Sequence, residues 1–156
     1  MADNKTRNHM HEAIAQYAIG AILLLCGCCI YLMFRGKSIT LYHWAEYVGL
    51  SKLLCEWRNS VQDWEPPDYV LYSLPDGLYC ASYVLVMNAA WPKSGKRIVK
   101  LIAVSAIPFA AIIHELLQAI GYAKGTFDVY DLLFYSVPLI IYYSLTFYQQ
   151  LKNQKQ

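Results

Sequence analysis

Acidic side chains occur inside stretches of this sequence that are otherwise apolar, and their positions suggest proton-transfer or ligand-binding chemistry. Asp76 lies within one apolar run, and His114 and Glu115 lie near the end of another. Asp128 and Asp131 open a third, three residues apart. An ionised Asp at the centre of a bilayer costs about 2.5–3.5 kcal/mol on insertion scales, so acids in such runs are candidates for functional roles.

Helical spacing sorts these residues into faces. Glu115, Gln118 and Tyr122 are spaced i, i+3, i+7 and share one face, whereas His114 points about 100° away from Glu115. Carboxylates that meet in a low-dielectric cavity suit a general acid, a general base or a proton relay. The hypothetical acid–base residues are Asp76, Glu115 and Asp131. The candidate ligand-binding residues are His114, Gln118, Tyr122, Asp128 and Tyr135.

Structural roles are open alternatives for several of these side chains. Asp128 follows Gly125-Thr126 and suits a helix N-cap, and His114 suits a hydrogen bond to a backbone carbonyl. Glu115 and Asp131 could form a purely structural hydrogen-bonded pair. A divalent cation held by the acids and His114 is a further alternative, but the run His114-Glu115-Leu-Leu-Gln118 lacks the second histidine of a zinc motif. We therefore predict no metal site and no cofactor.

Composition indicates the class of protein that must position these residues. Of the 156 residues 57% are hydrophobic and 15% charged, against about 45–50% and 25% in soluble domains. This apolar excess disfavours a soluble fold. The net charge of +2 gives no broad basic face, so we predict no nucleic-acid partner. An aromatic content of 15% excludes a disordered chain.

The apolar runs predict an all-α fold, an integral membrane four-helix transmembrane bundle forming a single membrane domain over 1–156. The first run contains YAIGAILLLCGCCIYLMF and is long enough to cross a hydrocarbon core about 30 Å thick. Pro75, Pro108 and Pro138 fall inside the later spans, where we expect kinks. The predicted spans are about 13–34, 68–91, 98–122 and 128–148.

The segment between the first two spans is amphipathic rather than apolar. Hydrophobic residues recur at helical spacing, and Gly49 followed by Ser51 fits the end of one helix and the N-cap of the next. Trp44, Trp57 and Trp64 are typical of a membrane interface. We predict two short interfacial helices over about 39–64, packed at the interface or folded over the bundle as a lid.

Lysine and arginine positions predict the orientation. Of the 13 basic residues, eight lie at the termini and in the loop near 93–100, and five are spread over the longer segments on the other side. Basic residues concentrate in cytoplasmic loops. We therefore predict a multi-pass protein of the cell (inner) membrane with both termini cytoplasmic, and with the acids in the outer third of the bundle.

Three motifs resemble the VanZ-like family of small membrane proteins. His114-Glu115-Leu-Leu-Gln118, followed by Gly125-Thr-Phe-Asp128-Val-Tyr-Asp131-Leu-Leu, is similar to the family's paired E-x-x-Q and D-x-x-D signature. Ser73-Leu-Pro75-Asp76-Gly77-Leu is similar to the acid-bearing second span of small bacterial relatives. The chain departs from the family where an Arg usually precedes the first Asp, and in the last span, where Tyr135 and Pro138 replace the usual Asn and Gly. The resemblance implies a bacterial cell-envelope setting of the teicoplanin-resistance type, with lipid-linked wall precursors as the related ligands.

These observations lead to one functional hypothesis and two alternatives. The leading hypothesis is an envelope protein whose outward-facing acidic cavity binds a polar or lipid-linked ligand. An extended form of this hypothesis is that the protein also catalyses a reaction of that ligand. One alternative is a non-catalytic membrane subunit or scaffold of a larger envelope complex, whose acids only pair with one another. The other is a proton- or ion-coupled transporter, which four spans without an inverted repeat disfavour. The expected partners are the lipid bilayer, a lipid-linked envelope ligand, and a membrane-protein partner or a second copy of the chain.

Overall fold

The structure is a computed structural model that describes residues 2–61, 63–92 and 95–154. Within these residues the chain forms helices and no strands, as predicted. The helices are α1 Ala2–Phe34, α2 Thr40–Tyr47, α3 Ser51–Ser60, α4 Asp68–Leu71, α5 Ser73–Ala90, α6 Arg97–Ala119 and α7 Val129–Gln154.

Three of the helices are long and apolar enough to cross a membrane. The qualifying stretches are Met10–Phe34 in α1, Arg97–Ala119 in α6 and Val129–Lys152 in α7. Few of their residues are buried inside the protein, so their apolar side chains form its outer surface. This is the pattern of a multi-pass membrane protein, since lipid rather than protein would cover those side chains.

The helix α5 is not among these stretches, and its packing explains its more polar sequence. It packs against α1 on one side and against α6 and α7 on the other. In the part of the chain described, α1 has at most marginal contact with α6 or α7, so α5 is the central helix. Its buried residues include small ones that allow close helix approach, such as Ser73, Gly77 and Ser82. A central helix can carry Asp76 and Asn88 because they face neighbouring helices.

The second predicted span differs from the structure at its start. Instead of a kink at Pro75, the chain forms α4, turns at Tyr72 and begins α5 at Ser73. The physical reason is that proline lacks a backbone N–H and its ring clashes with the carbonyl four residues earlier, which here belongs to Leu71. The helix therefore restarts so that Pro75 falls in the first turn, where it is tolerated.

Glycines end two of the helices in the same way. Gly121, at φ 76°, follows α6, and the N–H groups of Gly121 and Tyr122 donate to the carbonyls of Gln118 and Leu117. This is a Schellman motif, which requires a left-handed residue. Gly49, at φ 84°, ends α2 in the same way. The helix α6 therefore ends at Ala119, whereas the third predicted span runs to about residue 122.

Helices α2 and α3 cover the C-terminal end of α1. The guanidinium of Arg58 donates to the carbonyls of Leu32 and Arg35 at 2.7 and 2.6 Å, and it lies 4.8 Å from the Tyr42 ring centre. A cation that binds the last carbonyls of a helix satisfies its unpaired acceptors. Both short helices expected around Gly49 are present, but Ser51 is the first residue of α3 and not its N-cap, which is Leu50.

Candidate functional site

Asp76 joins three helices at one end of the protein. Its two carboxylate oxygens accept hydrogen bonds from the hydroxyl of Tyr31 in α1, at 3.4 Å, and from the hydroxyl of Tyr135 in α7, at 3.5 Å. Because α1 ends here while α5 and α7 begin, the antiparallel helices bring residues from distant parts of the sequence together. We call this the acidic end, defined by Asp76, Glu115, Asp128 and Asp131.

Two further charged side chains act on Asp76. Asp131, one helical turn before Tyr135 in α7, repels its carboxylate, and Arg35 at the end of α1 attracts it. The Arg35 guanidinium lies between two aromatic rings, 4.8 Å from the centre of Tyr31 and 4.5 Å from that of Tyr72. The site therefore combines carboxylates, tyrosine hydroxyls and one cation, so it is not purely acidic.

Three buried polar atoms at this end have no hydrogen-bond partner among the described residues. They are Oδ1 of Asp131, Nε of Arg35 and Oγ of Ser73. Buried polar groups in proteins are almost always satisfied by protein or water, so each exception needs an explanation. The open carboxylate oxygen, the open guanidinium N–H and the open Ser73 hydroxyl suit a bound polar group that offers both a donor and an acceptor.

The buried side chain of Glu115 binds the backbone at the start of α7. The side chain is only 3% exposed, and its Oε1 accepts a hydrogen bond of 2.6 Å from the backbone N–H of Asp128. Asp128 Oδ1 in turn accepts the N–H of Tyr130 at 2.8 Å, which makes Asp128 the N-cap of α7. The alternative reading of Asp128 as a cap is therefore the one that the structure supports. Glu115 fastens the end of α6 to the start of α7.

The remaining candidates lie at the turn between α6 and α7. His114 is exposed and its Nδ1 is 3.2 Å from Nε2 of Gln118, which also donates to the carbonyl of Lys124 at 3.3 Å. Tyr122 is 85% exposed and lies beyond the end of α6, so it does not share a helix face with Glu115. The structure thus brings Asp76, Asp131 and Tyr135 together, and places His114, Gln118 and Tyr122 outside that group.

A mostly apolar cavity leads to Asp76 from the side of the protein. Its volume is about 210 Å³, and it lies between α1 and α5 beside α2. Leu24 and Cys28 of α1, Leu41 of α2 and Pro75 of α5 line it, and so do Tyr31 and Asp76. A cavity with apolar walls and a carboxylate among its lining residues is complementary to an amphipathic ligand, which has both an apolar part and a polar part.

Sequence reasoning missed Tyr31 and Arg35. Both lie at the end of the first apolar run, which the sequence predicts only as a membrane span. The signal that could have found them is their i, i+4 spacing on one face of the helix, at the same depth as the acids. In the described part of the chain no group of three or more His, Cys, Asp or Glu residues could hold a metal ion.

Comparisons with protein-family models, with curated proteins and with solved structures found no match for this chain.

Proposed function

We propose that the chain is a four-span, VanZ-like protein of the bacterial inner membrane that binds a lipid-linked ligand at its acidic end. The main support for this proposal is that tyrosine hydroxyls of α1 and α7 both donate hydrogen bonds to the Asp76 carboxylate, which lies beside a cavity with mostly apolar walls. In this proposal α5 is the fourth span. With α4 it covers about 34 Å at 1.5 Å per residue, and its polar side chains are shielded by the helices around it.

The ligand chemistry follows from the groups around Asp76. The lipid chain of the ligand occupies the apolar cavity, and its head group meets Asp76, Asp131 and Arg35. The two carboxylates accept hydrogen bonds from hydroxyl or amine groups, and Arg35 binds an anionic or carbonyl oxygen. A sugar- or amine-bearing phospholipid carries both kinds of group.

The topology supports an outward orientation for this site. Basic residues concentrate at the chain termini and in the loop after α5, away from the acidic end, and such residues mark the cytoplasmic side. The acidic end is then the outer one, where the precursors of a bacterial wall are exposed.

A lipid-retention assay tests the proposal. We expect Asp76→Asn and Asp131→Asn to co-purify about tenfold less of one lipid species, measured by mass spectrometry after mild detergent extraction, since hydrogen bonds to charged groups contribute about 1.5–3 kcal/mol. Glu56→Gln makes the same change at an exposed position of α3 and should leave that lipid unchanged. Equal lipid profiles for wild type and both Asn variants, at equal expression and melting temperature, would overturn the proposal.

A scaffold function is the second candidate, and Glu115 favours it. Its buried carboxylate binds a backbone N–H, which is a structural role. If all the acids were structural, the variants Asp76→Asn and Asp131→Asn would lower stability without changing the retained lipids, and the wild-type protein would co-purify with a larger membrane partner. The two candidate functions therefore predict different results for these variants: a change in the retained lipid for ligand binding, and a change in stability alone for a scaffold.

A further inference from the structure

Two further cavities lie toward the end of the protein opposite the acidic end. The first has a volume of about 330 Å³ and runs between α1 and α7 over the surface of α5. It exists because α1 and α7 both pack on α5 but hardly on each other. Its lining is mainly apolar, and includes Leu23, Val84, Leu85, Ile141 and Leu145. We call it the apolar groove.

The second cavity adjoins the groove and is polar. Its volume is about 450 Å³, and Arg97 and Lys100 of α6 line it together with Trp91. Glu12 of α1 lines it too, but its carboxylate is not free, because it interacts with another group. The indole Nε1 of Trp91 is buried and has no hydrogen-bond partner among the described residues. We call this cavity the basic vestibule.

Three amide side chains line both cavities and mark the boundary between them. They are Gln16 of α1, Asn88 of α5 and Gln149 of α7. Asn88 Nδ2 donates to Gln16 Oε1 at 2.7 Å, which holds α1 and α5 together at this level. Polarity therefore rises in steps along one continuous path, from apolar side chains through amides to cations.

We propose that the groove and the vestibule bind one anionic glycerophospholipid of the surrounding leaflet. The acyl chains lie in the apolar groove, the ester carbonyls lie at the level of the amides, and the phosphate lies in the vestibule beside Arg97 and Lys100. Each part of the lipid then meets side chains of matching polarity. Basic pockets between membrane helices are known binding sites for anionic lipid head groups, and tryptophan and basic residues concentrate at that depth.

The charge of the vestibule favours this occupant over a neighbouring apolar helix. A packed apolar helix would bury Arg97 and Lys100 without adding a negative charge, whereas a phosphate neutralises them and also accepts hydrogen bonds from donors such as the Trp91 indole N–H. The apolar groove favours a lipid over a soluble phosphate, because a soluble anion would leave those side chains uncovered. The site is independent of the one at Asp76, because the two share no lining residue.

Native mass spectrometry of the full chain in detergent tests the proposal. Phosphatidylglycerol is titrated against phosphatidylcholine with the same acyl chains, and a third titration uses glycerol 3-phosphate. We expect one phosphatidylglycerol to bind at least tenfold more tightly than phosphatidylcholine, and glycerol 3-phosphate not to bind. The double variant R97Q/K100Q should lose about tenfold or more in phosphatidylglycerol affinity, since each cation near an anionic head group contributes about 1 kcal/mol.

Two further variants keep the test decisive. Lys37→Gln with Lys52→Gln removes two exposed cations elsewhere and should leave the affinity unchanged. Ala81→Leu fills the apolar groove without changing charge and should also lower the affinity. This variant tests the proposal if the charge variant fails to fold. Equal binding of the two lipids, equal losses in the charge variant and its control, tight binding of glycerol 3-phosphate, or a dimer that excludes lipid from the groove would each overturn the proposal.

Discussion

The buried carboxylate of Glu115 accepts the backbone N–H of Asp128 across the turn that joins α6 to α7, at 2.6 Å. The bond connects residues 13 apart and fixes where α7 begins relative to the end of α6. Since α7 carries Asp131 and Tyr135 in its first two turns, this bond positions two of the side chains that surround Asp76. Glu115 therefore acts on the candidate site through the backbone.

The role of Glu115 predicts a difference between two substitutions. Glu115→Ala leaves the Asp128 N–H without its partner and should lower the free energy of unfolding by about 1.5–3 kcal/mol, the range for hydrogen bonds to charged groups. Glu115→Gln keeps an acceptor oxygen and should lose clearly less. Titration of each variant with sodium dodecyl sulfate in mixed micelles, followed by circular dichroism, measures the difference. Equal losses in the free energy of unfolding would show that an acceptor oxygen at position 115 does not preserve stability, which would contradict this role of Glu115.

Close packing of α5 against α7 predicts a steric effect at Gly77. A Cβ added at Gly77 would lie 2.8 Å from Cβ of Phe134. Gly77→Ala should therefore destabilise the protein by about 1–3 kcal/mol, as overpacking typically does. In a Phe134→Ala background the same change should cost less but should not become neutral, because the ring atoms at 2.9 and 3.2 Å are gone while Cβ at 2.8 Å remains. The same unfolding titration over the four proteins of this cycle gives the coupling, and additive losses would contradict the contact.

The hydroxyl groups around Asp76 predict a modest loss of ligand. Tyr31→Phe and Tyr135→Phe each remove one hydrogen bond to the carboxylate and leave the aromatic ring in place. If the proposed lipid site is correct, each variant should retain about two- to tenfold less of the co-purified lipid, corresponding to a net contribution of about 0.5–1.5 kcal/mol per hydrogen bond. Tyr17→Phe makes the same change at an exposed position of α1 and should have no effect. A loss in the Tyr17 variant equal to the others would argue against a specific site.

The proposed orientation of the protein predicts which cysteine reacts from outside the cell. Cys55 is exposed in α3, whereas Cys80 is 1% exposed in α5. In a variant that keeps Cys55 alone, a membrane-impermeant maleimide should label spheroplasts. In a cysteine-free chain that carries Lys96→Cys, the reagent should react only after the membrane is permeabilised. The reverse pattern would place the acidic end in the cytoplasm.

The apolar runs predicted several helices because hydropathy is a local property of the chain. The helical stretches Met10–Phe34, Arg97–Ala119 and Val129–Lys152 overlap most of the first, third and fourth predicted spans. The turn at Gly49 was also predictable, since a glycine between two amphipathic segments favours a helix end. The break at Tyr72 was harder to predict, because Pro75 is compatible both with a kink and with a first helical turn.

The candidate site was predictable only in part, for a geometric reason. The sequence identified Asp76 and Asp131 by their depth in apolar runs. It did not distinguish them from Glu115, whose carboxylate is occupied by the Asp128 N–H. Spacing within one helix shows which residues share a face, but the face of a neighbouring helix that meets it depends on packing.

By itself, the sequence determined that this chain is helical, that it is too apolar for a soluble fold, and that its acids and its basic residues separate along the helices. Only the tertiary structure decided that α5 is the central helix, that Tyr31 of α1 and Arg35 just after it join Asp76, and that an open groove remains between α1 and α7. The physical reason is that apolarity and charge add along the chain, whereas hydrogen bonds and cavities form between helix faces that only packing brings together.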